Sequence, residues 1–184
     1  MAITISGSGI TSANIADDTI VNSDINSSAA IASSKLSGTG KVLQVVHSTL
    51  RTAVDDTTTT TYAEIHTQYR VTITPTSSSS TIWLQFQGQF GLQSDVQQGM
   101  RFMRSTDSGS NWTSIHPATS QGETHRNSGS GYLQQSATLS FLDSPNTTSS
   151  VMYTMYFNRH AGSSTCRVND NGMGSRLTAM EIAG

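Results

Sequence analysis

The sequence predicts an all-β protein, and three features point there. Serine and threonine supply 30 and 26 of the 184 residues, while lysine occurs only at Lys35 and Lys41. Threonine is β-branched and suits strands, and short hydroxyl side chains compete with the helical backbone for hydrogen bonds. Apolar and polar residues alternate in several short runs, the period of a half-buried strand. Clusters of Ser, Gly, Asn and Asp separate the runs as turns.

Two segments follow from this pattern. Residues 1–40 read as an extended, repetitive arm, closed by the linker Ser37-Gly38-Thr39-Gly40. Residues 41–184 are of single-domain size and read as an antiparallel β-sandwich, of jelly-roll type. Its strands are expected at Val42–Ser48, Tyr62–Thr67 and Tyr69–Thr74, the last ending at Pro75. In the next run, Ile82, Leu84 and Phe86 face one side while Trp83, Gln85 and Gln87 face the other. A hairpin runs from Phe102 through the turn Asp107-Ser108-Gly109-Ser110 to Trp112 and Ile115. Leu133–Leu142 and Val151–Asn158 flank a Ser144-Pro145-Asn146 turn, and Arg176–Ile182 closes the sheet.

The arm carries an internal repeat. Ile10, Ile15, Ile20 and Ile25 are five residues apart, and after one six-residue step the series resumes at Ile31 and Leu36. In an α-helix a five-residue step turns about 500°, leaving successive rungs about 140° apart and forming no stripe. In a flat strand an odd step sends alternate rungs to opposite faces. Neither element buries the ladder against its own domain, so the rungs need partners. Each buried isoleucine is worth about 1.5–3 kcal/mol to whatever assembly covers it. Within the arm, SSAAIASSKLSG (27–38) reads as a short helix with a serine cap and a glycine stop.

Two strands look apolar on both faces, VMYTMYF (151–157) and the stretch around Met103. Either the core is thick or a second face meets other subunits, and the ladder favours subunits. Composition narrows the partners. A net charge of −2 gives no electrostatic case for nucleic acid or a membrane surface. The N-terminus lacks the basic start and apolar run of a signal peptide, so synthesis in a cytoplasm is expected. Cys166 is the single cysteine, so no intrachain disulfide forms, and it reads as a buried or idle thiol ahead of the alternative, an intermolecular disulfide.

Catalytic patterns are missing. The chain has no phosphate-binding loop, dinucleotide fingerprint, zinc spacing or nucleophile elbow. His47, His66, His116, His125 and His160 are scattered. Asp17-Asp18 and Asp55-Asp56 sit in polar stretches and read as turn residues, as does Asn169-Asp170-Asn171-Gly172. No enzyme activity, cofactor or metal is expected. A depolymerase-like enzyme is disfavoured because no acidic constellation accompanies the small size.

The phrase ITSANIADDTIVNSDINSSAAIASSKL (10–36) resembles linkers in tail-fibre and other virion proteins of tailed phages, especially those infecting cyanobacteria. The segment SRLTAMEIAG (175–184) resembles the closing strand of small trimeric jelly-roll heads in similar proteins. This resemblance implies a homotrimeric virion protein whose arm attaches to other virion components and whose C-terminal knob faces outward. Two functions fit. As a fibre tip, it contacts a host-surface receptor or glycan through loops at 93–99 and 120–131. The contact residues expected there are Gln121, Glu123, His125 and Arg126, with Trp112 and Tyr132 as flanking rings for sugar stacking. The alternative for both rings is anchorage in the core. As a capsid decoration or head-fibre protein, it instead clamps the arm to the shell without binding a receptor.

Overall fold

Alternation sets the longest strands. In β5 (Thr81–Leu92) the side chains of Ile82, Leu84, Phe86 and Phe90 are fully buried, while Trp83, Gln85 and Gln87 point away from the core. A computed structural model describes residues 41–116 and 123–184, and all structural statements concern these. The isoleucine ladder and the helix expected at 27–38 lie outside the described residues.

The other strands are β1 (Val42–His47), β2 (Asp55–Thr57), β3 (Ala63–Glu64), β4 (Val71–Ile73), β6 (Val96–Ser105) and β7 (Thr113–His116). Then come β8 (Glu123–Asn127), β9 (Leu133–Asp143), β10 (Val151–Ala161), β11 (Cys166–Val168) and β12 (Arg176–Ile182). One sheet runs β1-β12-β5-β9, with β11 and β2 continuing it beside the far half of β5. The other runs β4-β10-β6-β8, with β3 beside β10 and β7 beside β6. All pairings are antiparallel. Counting only the eight principal strands in chain order, the two sheets read 1-8-3-6 and 2-7-4-5. That order is the double Greek key of a jelly roll.

The core lies between the sheets. Ile82, Leu84, Phe86 and Phe90 of β5 meet Met100 and Phe102 of β6 and Val151, Tyr153, Met155 and Phe157 of β10. Tyr69 enters edge-on against Phe86, with ring centroids 5.3 Å apart. Its hydroxyl accepts from the Asn169 amide at 2.6 Å, and burial pushes its pKa up to about 12. Cys166 is buried as expected, and desolvation raises its pKa to about 12.

Several sequence expectations change. Asp55 is a buried strand residue rather than a turn residue. Arg51 grips it through Nε at 2.7 Å and Nη2 at 2.6 Å, and this ion pair lets a carboxylate sit in β2. Only Ala63–Glu64 of the run expected at Tyr62–Thr67 pairs as a strand, because Thr67–Tyr69 turns as a 3₁₀ helix capped by His66. β12 does not close the sheet from its edge but lies between β1 and β5. The β6–β7 turn forms where expected, with Ser108 and Gly109 at φ of 59° and 85°. There Asp107 accepts hydrogen bonds from Ser105 and Asn111, which lower its pKa to about 2.

The doubly apolar face of β10 is covered by the chain's own segment 57–70. The Asn158 amide donates to the Thr60 carbonyl, the Arg101 guanidinium lies 3.9 Å from the Tyr62 ring, and Thr154 donates to Glu64. Segments of the same chain thus bury Thr154 and Asn158 on this outward face.

Glu181 is fully buried on β12 and accepts from the Gln44 amide and from Thr76 N and Oγ1, the latter two at 2.7 Å. Burial pushes its pKa up, but these hydrogen bonds outweigh it and leave the pKa below the ordinary value. A depressed folded pKa contributes stability above the unfolded pKa that is lost as pH falls through the folded one. Thermal midpoints should therefore drop below the ordinary glutamate value of about 4.3, and Glu181→Gln should flatten that slope.

Candidate functional site

The knob has two ends, distinguished by β5. Its first residue, Thr81, lies beside Ile182, which pairs with Val42 at the start of β1, where the arm joins. Its last residue, Leu92, leads into turns at the other end. Twelve residues at about 3.3 Å each separate the two by roughly 36 Å.

At the Leu92 end three connections meet: β5–β6 (93–95), β8–β9 (128–132) and β10–β11 (162–165). Asn127, 8% exposed, joins the first two. Its amide nitrogen donates to the carbonyls of Leu92 and Gln93 at 3.1 Å and of Gly131 at 2.6 Å, and its Oδ1 accepts from Gly129 N at 3.0 Å. Gly162 packs so closely that a Cβ there would collide with the Asp95 carbonyl, and its φ of +88° also requires glycine. Asp95 itself adopts φ of 52° at the tip.

What this end exposes is charged and aromatic. The side chains of Arg126 and Asp95 are 61% and 82% exposed, with 4.0 Å between Nη2 and Oδ1, a pair worth at most about 1 kcal/mol. Both remain available to a ligand. Tyr132 is 46% exposed, yet its hydroxyl is tied to Asp170, which also accepts from Gln134 and lies 3.5 Å from Arg167. Gly91 makes this possible, because a Cβ there would occupy the position of the Tyr132 hydroxyl. Desolvation alone would raise the Asp170 pKa, but the Tyr132 and Gln134 hydrogen bonds and Arg167 lower it overall. Burial and the neighbouring Asp170 raise the Tyr132 pKa. The result is an immobilised, half-exposed aromatic ring at the same end of the knob as the exposed Arg126–Asp95 pair, and an exposed aromatic face suits an amphipathic ligand such as a sugar.

The structure divides the predicted contact residues. Arg126 and Tyr132 belong to this end. His125 turns inward, stacking on Phe90 with centroids 4.5 Å apart and meeting Gln135 through Nδ1 at 2.7 Å. An inward ring follows from its position on β8 opposite Gln98, whose side chain shares the inner face. Trp112 lies at the arm end, beyond Ser105, where it meets Tyr156 and the Arg70 guanidinium at 6.3 and 5.2 Å. It therefore forms no stacking pair with Tyr132. Gln121 and the Glu123 side chain lie outside the described residues. The expected loop at 93–99 shortens to 93–95, because Val96 starts β6.

Sequence reasoning missed Asn127 and Gly162. The string Asn127-Ser128-Gly129 signals a turn, but nothing local shows that its amide also holds the β5–β6 connection. Asn127→Ala should cost about 2 kcal/mol. It should accelerate amide exchange at 93–95 and 128–131 while the core strands keep their protection, as hydrogen-exchange mass spectrometry can show.

Elsewhere, a depression of about 250 Å³ is lined by Leu50, Gln87, Gly174, Ser175 and Arg176. The Ser175 hydroxyl there is committed to Asn169, so it is no ready nucleophile. Among the described residues no group of three His, Cys, Asp or Glu is placed to hold a metal. No protein-family model matches the chain, and no curated protein sequence matches it.

Proposed function

We propose that this chain is a non-enzymatic virion structural protein of the tailed-phage fibre type, a homotrimer held by residues 1–40 with the jelly-roll knob facing a host-surface glycan. The observation that carries this reading is polarity. The arm joins the knob at one end of β5, and the loop cluster with Arg126 and Tyr132 sits at the other. A knob tethered at one end presents its opposite end outward. The five-residue isoleucine ladder supplies the attachment or trimer contact, since it cannot bury its own rungs.

The test uses the full chain on arrayed bacterial surface polysaccharides and on host cells, with reconstruction of whole virions to locate the protein. Saturable binding that falls at least tenfold in Tyr132→Ala with Arg126→Ala, at unchanged oligomeric state, supports the fibre-tip reading. The ladder also fits a second reading, capsid decoration, because its rungs could dock on a shell protein as well as on their own copies. Firm retention on tail-less heads with no glycan or cell binding would establish that reading instead.

A further inference from the structure

Among the described residues nothing covers the outer face of the first sheet as segment 57–70 covers that of the second. Cross-strand register aligns four large apolar residues there in one row across all four principal strands. Val45 of β1 pairs with Met180 of β12, Met180 with Trp83 of β5, and Trp83 with Leu142 of β9. Val45 and Leu142, at the two ends of the row, are 51% and 53% exposed. The next row toward the arm adds Val42 and Ile182, and the bulge between Val42 and Gln44 leaves Leu43 exposed beside them.

The rest of the face is unusual for a solvated surface. Outward positions continue as Thr178, Gln85 and Ser140, then Gln87 and Thr138, then Gln89 and Ser136. Only His47 and Arg176 carry ionisable groups among the outward positions of these strands, and there is no carboxylate, because Glu181 and Asp143 face inward. Depletion of charge around an apolar centre distinguishes the core of a protein–protein interface from ordinary surface.

We infer that this face is where knobs of neighbouring copies of the chain pack on one another, with the Val45–Met180–Trp83–Leu142 row at the centre of the contact. A second copy is the occupant for two reasons. Forty residues precede the described knob, which begins at Lys41, immediately before Val42 in the apolar patch. Joined arms would therefore deliver the patches of several copies to one place, at an effective concentration in the millimolar range. The face also meets a copy of itself without carboxylate repulsion, and its Gln, Thr and Ser side chains both donate and accept hydrogen bonds. β5 and β9 are about 36 and 33 Å long but β12 and β1 only about 20 and 17 Å, so at a spacing of about 4.8 Å the four strands present on the order of 500 Å², less than the roughly 800 Å² per partner of a standard interface. The apolar row alone is too small, so the hydroxyl and amide rows belong to the contact.

This inference rests on the assembly reading above, and the experiment separates the two. Sedimentation equilibrium of the full chain is compared for wild type, Leu142→Glu, Leu142→Ser and Val45→Ser, with circular dichroism as the check on folding. Serine already occupies the neighbouring outward position 140, so the two serine variants report even where the glutamate disturbs the strand. Wild type should be trimeric at micromolar concentration. Leu142→Glu should raise the concentration for half-dissociation at least tenfold, and each serine variant should raise it severalfold. A monomeric wild type would overturn the assembly reading and this inference together. A trimer whose dissociation is the same in wild type and all three folded variants would overturn this inference alone.

Discussion

Asp143→Ala should destabilise the knob by about 3–5 kcal/mol, a large part of the 5–15 kcal/mol typical of a domain. Asp143 ends β9 with its carboxylate turned inward and 6% of the residue exposed. It accepts from Arg104 Nη1 at 3.0 and 2.9 Å and from the Tyr153 hydroxyl at 2.7 Å. These contacts tie β9 of one sheet to β6 and β10 of the other. Removing the carboxylate leaves a guanidinium only 25% exposed and a fully buried hydroxyl without their partner. The penalty comes from those stranded groups more than from the lost attraction. Tyr153→Phe tests this distinction, because it removes one donor and leaves the ion pair, and should cost about 1 kcal/mol. Burial and the adjacent Asp143 raise the Tyr153 pKa, so its proton stays available as donor throughout the usual pH range. Urea denaturation of the three proteins measures each difference.

Phe86→Ala should cost about the same, 3–5 kcal/mol, by a different route. Phe86 is fully buried at mid-β5, 5.3 Å from Tyr69 and 6.4 Å from Phe90 between ring centroids. Its surroundings cannot close over the space. A Cβ on Gly88 would already lie 3.2 Å from Phe86 Cε1 and 2.6 Å from Ser175 Oγ, so packing there is tight. The hydrogen-bonded Tyr69–Asn169–Ser175 set beside it resists relaxation. Phe86→Leu should cost markedly less than alanine, because it keeps most of the volume. The denaturant midpoint should shift while its slope stays constant.

Residues that act through local alternation were legible in the sequence. Ile82, Leu84 and Phe86 face the core and Trp83, Gln85 and Gln87 face outward, as the period of two requires. The sandwich class and the β6–β7 turn also followed from run lengths and turn residues, while the order of the strands emerged only with their pairing. Residues that act through distant partners were not legible. Asp55 looked like a turn residue until Arg51 and the edge of β11 are in place around it. His125 read as part of a polar loop because its stacking partner, Phe90, lies 35 positions earlier in the chain. The Trp112–Tyr132 pairing failed for the same reason, since sequence proximity does not reveal that β6 and β8 carry them toward opposite ends. The apolar row is visible only once strand register aligns residues 45, 83, 142 and 180.

The place of β12 has a consequence for how the protein is made. Synthesis delivers β1 and β5 long before Arg176–Ile182, yet both lean on that strand in the finished sheet. Until it emerges, two strands expose unpaired backbone edges, and the edge of β5 is long and hydrophobic. Such edges invite pairing with other chains. The knob therefore cannot fold progressively as it leaves the ribosome, and most of its sandwich must form after residue 182 is available. With nearly every strand pairing across long stretches of sequence, folding should take milliseconds to seconds. Any cell producing this protein in quantity must hold a pool of aggregation-prone chains with unpaired strand edges for that interval.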